Sequence, residues 1–525
     1  MEKKILINLS FSVWPILNYE LDLIQQKLNE GHIVKVLYCN ASPDYCEANQ
    51  VKILNYKKLK SVCNYCQSRF NDGLNWLDNK DKLLIENFDL IDTSQQKIIF
   101  EYDKLLTKKD KVDEEILLFL ENISSNLLEV CITNIITTTE SVLIDYRDKK
   151  NFNLFKRISK FTIASFYSSL NHMQKFNPDE VYIYNGRIYK YQPMVRIAQS
   201  MMGGENINVY EWPMHGNLNM VVFKNNYGHD PKNYSKQLLK FSNENDTNFL
   251  EKEVFTKEWL DKTINKKAHP WKNKQIKNLL PSNFNKSHFN ITYFASSEFE
   301  FLGIPEVEKD FKFKNNYAAI KSILRCIEGK PNTFLNVRMH PLGGMDSKIY
   351  LGELIKLKEK HSNIEIIDPD STADSYTLMK NSDLIIVIHS TAGLEAAYLK
   401  KNVIALGPTT YMSFEIAKNC SNEKELALLL NKCVDQKNFE DFPTDSIKYE
   451  NIINYGYAFC NYNYKSKFLI EKVSKIKPIF KNFRVNMLKN NKIYNLRAKP
   501  IFRYIYFTYY IISTCLQKIK FFFIK

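Results

Sequence analysis

The residues best suited to chemistry lie between Asp383 and Tyr411, in the stretch DLIIVIHSTAGLEAAYLKKNVIALGPTTY. Leu384 to Ile388 is a short, unbroken apolar run of the kind found in a parallel strand buried on both faces. It stops at His389-Ser390-Thr391-Ala392-Gly393, and from Leu394 to Lys400 the pattern turns helical. The next apolar run, Asn402 to Leu406, ends at Gly407-Pro408. In an open α/β sheet, ligands sit outside the carboxyl ends of the strands, where helix N-termini aim N–H groups outward. Ser390 and Thr391 can cap the helix or touch an anionic or hydroxylated ligand, and Gly393 permits close backbone approach. Glu395 falls in the first helical turn, where a carboxylate balances the helix dipole or accepts two hydrogen bonds from a ribose diol.

Three more segments carry similar chemistry. Ser296-Ser297 follow an expected strand at Ile291–Ala295, and their hydroxyls suit phosphate oxygens. Arg338-Met339-His340-Pro341 close the strand expected at Thr333–Met339, where the proline fixes a histidine able to donate to phosphate. Asp374-Ser375-Tyr376 open a helix after Ile364–Ile367. Each alone is ordinary. Together, at carboxyl ends of strands in one sheet, they point to a nucleotide site. The chain has no GxGxxG and no GxxxxGK[ST], which argues against a standard dinucleotide or P-loop enzyme.

Positioning these residues takes a parallel sheet. In the second half, strands expected at 291–295, 333–339, 364–367, 384–388 and 403–406 alternate with helices near 315–329, 347–360, 374–381 and 393–400. The first half repeats the theme. Lys4–Leu9 and Ile33–Tyr38 read as strands around a helix from about Leu17 to Asn29. A helical insertion spans about 80–175. The strand Val181–Tyr184 then ends in Asn185-Gly186-Arg187, and Ile207–Tyr210 runs into Glu211. The fold class is therefore α/β, with two Rossmann-like domains facing across a cleft. Its expected parts are 1–242, a polar connection at 243–287, 288–470, and a tail at 471–525.

A formal charge of +15 suggests nucleic acid or membrane, but its distribution decides between them. Residues 472–525 hold 13 Lys and Arg and no acidic residue, leaving about +2 on everything before them. The tail's uncharged run from Tyr504 to Leu516 is 13 residues long, short of the ~20 that span a bilayer as a helix. Tyr and Phe flanked by Arg497, Lys499, Arg503, Lys518 and Lys520 suit the headgroup region of an anionic leaflet. No nucleic-acid-binding motif accompanies the charge, so nucleic acid is not an expected partner. The N-terminus lacks the apolar core and cleavage site of a signal peptide. The expected location is therefore the cytoplasm, peripheral on the inner face of the membrane, with the ten cysteines reduced.

RMHP at 338–341, DSYTLMKNSD at 374–383 and HSTAGLEAAYLKKNVIALGPTTY at 389–411 resemble bacterial surface and capsular polysaccharide glycosyltransferases of the GT-B fold. YNGR at 184–187, Glu211, HD at 229–230 and YFASSEFEF at 293–301 agree, so the resemblance runs over roughly residues 1 to 470. It implies a nucleotide-sugar donor held by the second half, a lipid-linked or polymeric saccharide acceptor, and no cofactor or metal required for catalysis. Carried over, His340, Ser390, Thr391 and Glu395 become donor contacts, joined by Ser296, Ser297, Arg338, Ser375 and Gly393. Glu211 becomes the first candidate for the base that deprotonates the acceptor, with His215 and Asp230 behind it. Asn185 and Arg187 orient acceptor or sugar, or Arg187 bridges the two halves. One element departs: where such enzymes carry Glu-Arg-Gly, this chain reads Glu211-Trp212-Pro213-Met214-His215-Gly216. Alternatives on the same scaffold are a CDP-alditol phosphotransferase, a nucleotide-sugar epimerase and a non-catalytic assembly protein.

Cys39, Cys46, Cys63 and Cys66 form C-x6-C-x16-C-x2-C just after an expected strand. Four thiolates with one close pair can hold a structural zinc, and the resemblance includes similar cysteine groups. Buried or simply reduced thiols are the other reading.

Overall fold

The computed structural model describes residues 1–9, 16–39, 63, 66–68, 70–139, 141–142, 144–188, 190–203, 206–211, 221–224, 230–265, 274–300, 309, 313, 315–340 and 346–463, with backbone alone over 346–350. Two six-stranded sheets organise these residues.

The first contains β1 (Lys4–Asn8), β2 (Ile33–Tyr38), β3 (Leu83–Asn87), β4 (Glu180–Tyr184), β5 (Ile207–Glu211) and β6 (Val221–Lys224) in the order β3-β2-β1-β4-β5-β6. All its pairings are parallel except β5 with β6. The second contains β7 (Phe289–Phe294), β8 (Thr333–Arg338), β9 (Ile364–Ile367), β10 (Leu384–Val387), β11 (Asn402–Ala405) and β12 (Lys418–Asn419). Its order, β9-β8-β7-β10-β11-β12, is the same pattern repeated, and every pairing is parallel. Both are Rossmann-like, so each has a switch point where the strand order reverses: between β1 and β4 in one, between β7 and β10 in the other.

The central strands form because their residues are apolar on both faces. All four side chains of β10 are fully buried, as a strand covered by helices on both sides requires. Helices α1 (Ile16–Asn29), α2 (Thr93–Thr107), α3 (Glu114–Ile123), α4 (Leu127–Thr139), α5 (Lys149–Phe176), α6 (Gln192–Met202) and α7 (Pro231–Glu244) surround the first sheet. Polar side chains start several of them. Asp92 and Gln95 form a reciprocal capping box on α2, and Asp148 accepts from the N–H groups of Lys150 and Asn151 at the head of α5. In the second half, α8 (Phe249–Ile264) precedes α9 (Asn316–Cys326), α10 (Asp346–Lys360), α11 (Ser375–Asn381), α12 (Ala392–Tyr398), α13 (Glu423–Asp435) and α14 (Asp445–Asn461).

The structure amends one sequence expectation and bears out another. The region read as a helical insertion from about residue 80 begins with β3, an edge strand whose LLIEN is only partly buried. Its identity comes from pairing with β2, Val34 opposite Leu83 through Tyr38 opposite Asn87, not from any local alternation. The polar segment 243–287, read as a connection with some helix, contains the 16-residue α8, which packs on α14. Thr256 donates to the Ile453 carbonyl at 3.1 Å across that contact. The chain then returns to the first half, where the Tyr462 hydroxyl donates to the Val222 carbonyl at 3.0 Å and to Gln237 at 2.7 Å.

Candidate functional site

Strand register places three of the sequence candidates in one row. Phe294 pairs with both Arg338 and Val387 at the carboxyl edge of the second sheet. Ser296, His340 and His389 each lie two residues beyond those paired positions, on β7, β8 and β10. The row therefore spans the switch point. Ser296 is buried and its Oγ has no hydrogen-bond partner. His389 is buried while His340 is half-buried beside it. Burial, with the nearby His340 adding to it, pushes the His389 imidazole down to about 3, so it is neutral at physiological pH. A neutral imidazole can donate through one ring nitrogen and accept through the other.

The turn after β7 is held by a residue that the sequence reading did not single out. Asn316, at the start of α9, accepts from the Ser296 N–H at 3.1 Å and from the Tyr293 hydroxyl at 2.7 Å, and donates to the Ser296 carbonyl at 3.0 Å. Its own N–H donates to the Glu298 carboxylate. Ser297, also buried, lies within the same turn. The only local signal for Asn316 was its place at a helix start, which is indistinguishable from a cap.

After β10, Ser390 is half-buried and Thr391 is exposed. The Ser390 Oγ accepts from the Ala392 N–H at 3.2 Å. Helix α12 is only seven residues long and Thr391 makes no side-chain cap bond, so this turn, not a long helix dipole, is the available feature. Gly393 does permit a close approach, but by Tyr411: a Cβ there would lie 2.2 Å from its hydroxyl oxygen. That hydroxyl donates to the Ser390 carbonyl at 3.0 Å. Gly393 thus meets a packing requirement of the loop. Glu395 is buried beside Tyr376, whose hydroxyl donates to the Thr263 carbonyl at 3.3 Å; burial and the Glu395 charge hold that phenol far above its usual range. Ser375 is half-buried at the head of α11, its N–H donating to Gln275 at 3.1 Å.

Arg338 turns away from the row. Its guanidinium donates to the Asp368 carbonyl and, at 3.4 Å, to the Ser371 carbonyl, so it braces the loop after β9. Burial lowers it to about 10, against the opposing pull of Asp368 and Asp370.

On the first sheet, Asn185 follows β4 with a left-handed φ of 58° and donates to Glu211 at 2.8 Å. Glu211 is buried at the end of β5. The N–H of Arg187 donates to Asn185 Oδ1 at 3.2 Å. Its guanidinium crosses to the second half, donating to the Glu300 carbonyl at 2.5 Å and to the Phe299 carbonyl. Arg187 therefore links the halves through backbone carbonyls of the turn that begins at Ser297. Asp230 caps α7, one carboxylate oxygen accepting from the N–H groups of Lys232 at 2.9 Å and Asn233 at 3.1 Å. That is a structural role for a residue ranked behind Glu211 as a base. His215 lies outside the described residues, as does the segment 471–525.

The row Ser296–His340–His389 falls within residues 253–424, and this span matches a known family. It is that of the capsule polysaccharide biosynthesis proteins. The resemblance carried by RMHP, DSYTLMKNSD and HSTAGLE, all inside the matched span, is thus met by the capsule-biosynthesis match. No curated protein sequence is significantly similar to the chain. Among solved structures, a Thermosulfurimonas dismutans KpsC beta Kdo 2,4 transferase aligns at 13% identity and a TM-score of 0.33, over 53% of this chain and 79% of that one. A Neisseria meningitidis UDP-GlcNAc 2-epimerase bound to UDP-GlcNAc aligns at 13% identity and a TM-score of 0.25, over 90% of this chain and 100% of that one. Scores this low carry no argument about activity.

Outside the capsule-biosynthesis span, three of the four N-terminal cysteines are described. Burial, then the neighbouring Cys39 and Cys66, push the Cys63 thiol up to about 11. The three are thus near one another. Among the described residues, however, no group of three or more His, Cys, Asp and Glu is arranged to hold a metal ion. Cys46 lies outside the described residues.

Proposed function

We propose that this capsule-biosynthesis chain is a glycosyltransferase that moves a sugar from a nucleotide-sugar to a growing surface polysaccharide or glycolipid acceptor. The observation that carries the reading is the row of Ser296, His340 and His389 across the second switch point, with a buried, unpartnered Ser296 hydroxyl inside it. Such a row of neutral and half-buried donors suits the diphosphate or monophosphate of the donor. Ser390 and Thr391 extend it, and Glu395, braced by Tyr376, faces the ribose. The acceptor hydroxyl attacks the anomeric carbon while the bond from that carbon to the phosphate oxygen breaks. The electron pair leaves on the phosphate, and the acceptor proton passes to Glu211, which Asn185 orients. Donor binding proceeds without a divalent metal in this reading, and the basic aromatic tail holds the enzyme on the cytoplasmic leaflet. Among the described residues no single helix is long and apolar enough to cross a membrane.

The test is a thermal-shift screen of the full chain against UDP, GDP, CDP, CMP and dTDP, each with and without EDTA. A nucleotide with a dissociation constant of ~100 μM, present at ~10 mM, should add about 2.7 kcal/mol of stability. Glu395→Gln and His340→Ala should weaken whichever nucleotide binds. If none shifts the transition, the donor site is refuted; if EDTA abolishes the shift, the metal-independent part is wrong.

A further inference from the structure

The second switch point is assigned to the donor, yet the first also carries buried polar groups that the fold does not satisfy. Lys190, six residues beyond β4, is only 8% exposed. Its ammonium donates to the Leu9 carbonyl, just past β1, at 3.0 Å. Otherwise it faces the rings of Tyr191 at 5.0 Å and Phe88 at 5.5 Å. An ammonium has three donors, and among the described residues no carboxylate pairs with this one. Two residues on, at the head of α6, Gln192 is fully buried and neither amide atom has a hydrogen-bond partner. Asn8, the last residue of β1, is also fully buried, with Oδ1 unpartnered. Its amide nitrogen makes only a weak 3.5 Å contact to a thioether sulfur.

Buried polar groups in native chains are nearly always satisfied by protein, water or ligand. A cation that reaches the end of β1 and three orphaned amide atoms on Asn8 and Gln192, all in segments that flank one switch point, mark a candidate site. We infer that Lys190, Gln192 and Asn8 form the acceptor subsite, and that it takes an anionic saccharide, one bearing a carboxylate or a phosphate. Lys190 meets the negative group, while the amides exchange hydrogen bonds with sugar hydroxyls. Cationic and aromatic surfaces side by side suit that chemistry, because a sugar presents an apolar face beside its charge. The inference deepens the transferase reading and rests on it for the word acceptor.

The experiment uses the full-length chain in thermal-shift titrations with glucuronate, glycerol 1-phosphate and glucose, run beside the nucleotide that the donor screen selects. Glucuronate or glycerol 1-phosphate should raise the transition and glucose should not. A larger response to glucuronate assigns a carboxylate-bearing sugar, and a larger response to glycerol 1-phosphate assigns a phosphate-bearing one. Lys190→Met should weaken the anion roughly tenfold, as loss of a charge-assisted hydrogen bond predicts, while nucleotide binding stays intact. Gln192→Leu should weaken glucuronate as well, and Lys190→Gln replaces the apolar variant should that one fail to fold. An anion response that is absent in the wild type, or unchanged in both Lys190 variants, overturns the subsite. Loss of the nucleotide response alone would overturn the donor reading and leave this one standing.

Discussion

Replacing Gly393 by alanine tests how the loop after β10 is built. A Cβ at that position would sit 2.2 Å from the Tyr411 hydroxyl oxygen, 3.1 Å from Val387 Cγ2 and 3.3 Å from Tyr411 Cζ. Tyr411 has no open space to retreat into. It is fully buried, its hydroxyl donates to the Ser390 carbonyl at 3.0 Å, and its ring packs edge-on against Tyr455 at 5.9 Å. Moving it breaks that hydrogen bond, at a cost of about 1–3 kcal/mol for a buried group left unpaired. Overpacking adds about 1–3 kcal/mol more. A central figure of about 3 kcal/mol corresponds to a fall of roughly 6–12 °C in the transition of a domain of this size. The double variant Gly393→Ala/Tyr411→Phe isolates the cause. Without the hydroxyl, the nearest ring atom is the 3.3 Å contact, so the alanine should cost about 1–2 kcal/mol less in that background. Calorimetry of all four proteins supplies the cycle, and nucleotide titration reports whether the Ser390 loop has shifted. An alanine cost under about 0.5 kcal/mol, or one that is the same in both backgrounds, would refute the packing argument.

Three further outcomes follow from the site. His389 is neutral when folded and ordinary when unfolded, so between about pH 6.5 and its folded value of about 3 only the unfolded chain binds the proton. Stability should therefore fall with pH across that window by up to about 1.4 kcal/mol per unit, and His389→Asn should flatten the slope in paired thermal scans from pH 4 to 7. Arg187→Lys keeps the charge but not the forked pair of bonds to the Phe299 and Glu300 carbonyls. Transfer should drop about tenfold with nucleotide affinity unchanged, and small-angle scattering should show a larger radius; a normal radius with normal turnover would remove the interdomain role. Asp230→Asn preserves the cap and should keep transfer activity, whereas Asp230→Ala should cost about 1 kcal/mol of stability. Glu211→Gln should lower turnover by about 10²–10⁴, and the opposite ranking of the two acids would exchange their roles.

Much of the scaffold is written locally. Leu384 to Ile388 could be read as a buried strand because a parallel strand covered on both faces needs consecutive apolar residues, and that requirement stands in the sequence itself. Helix starts marked by Asp, Asn and Pro were legible in the same local way. Chemistry at strand ends was legible too, since Ser296, His340 and Ser390 sit where a strand must stop. What stayed hidden depends on partners distant in sequence. β3 is a strand because β2 lies beside it, and its own LLIEN is too exposed to announce itself. Arg338 and Asp230 have side chains that suit ligand or catalyst, but which neighbour each meets is a fact of packing. Gly393 signalled a close approach, and only the folded chain shows that Tyr411 makes one. Lys190, Gln192 and Asn8 are unremarkable in the sequence, because burial without a partner is a property of three dimensions. Residue type thus set the available chemistry, while register and burial decided which groups share a site, since both are fixed by contacts between segments that no local pattern encodes.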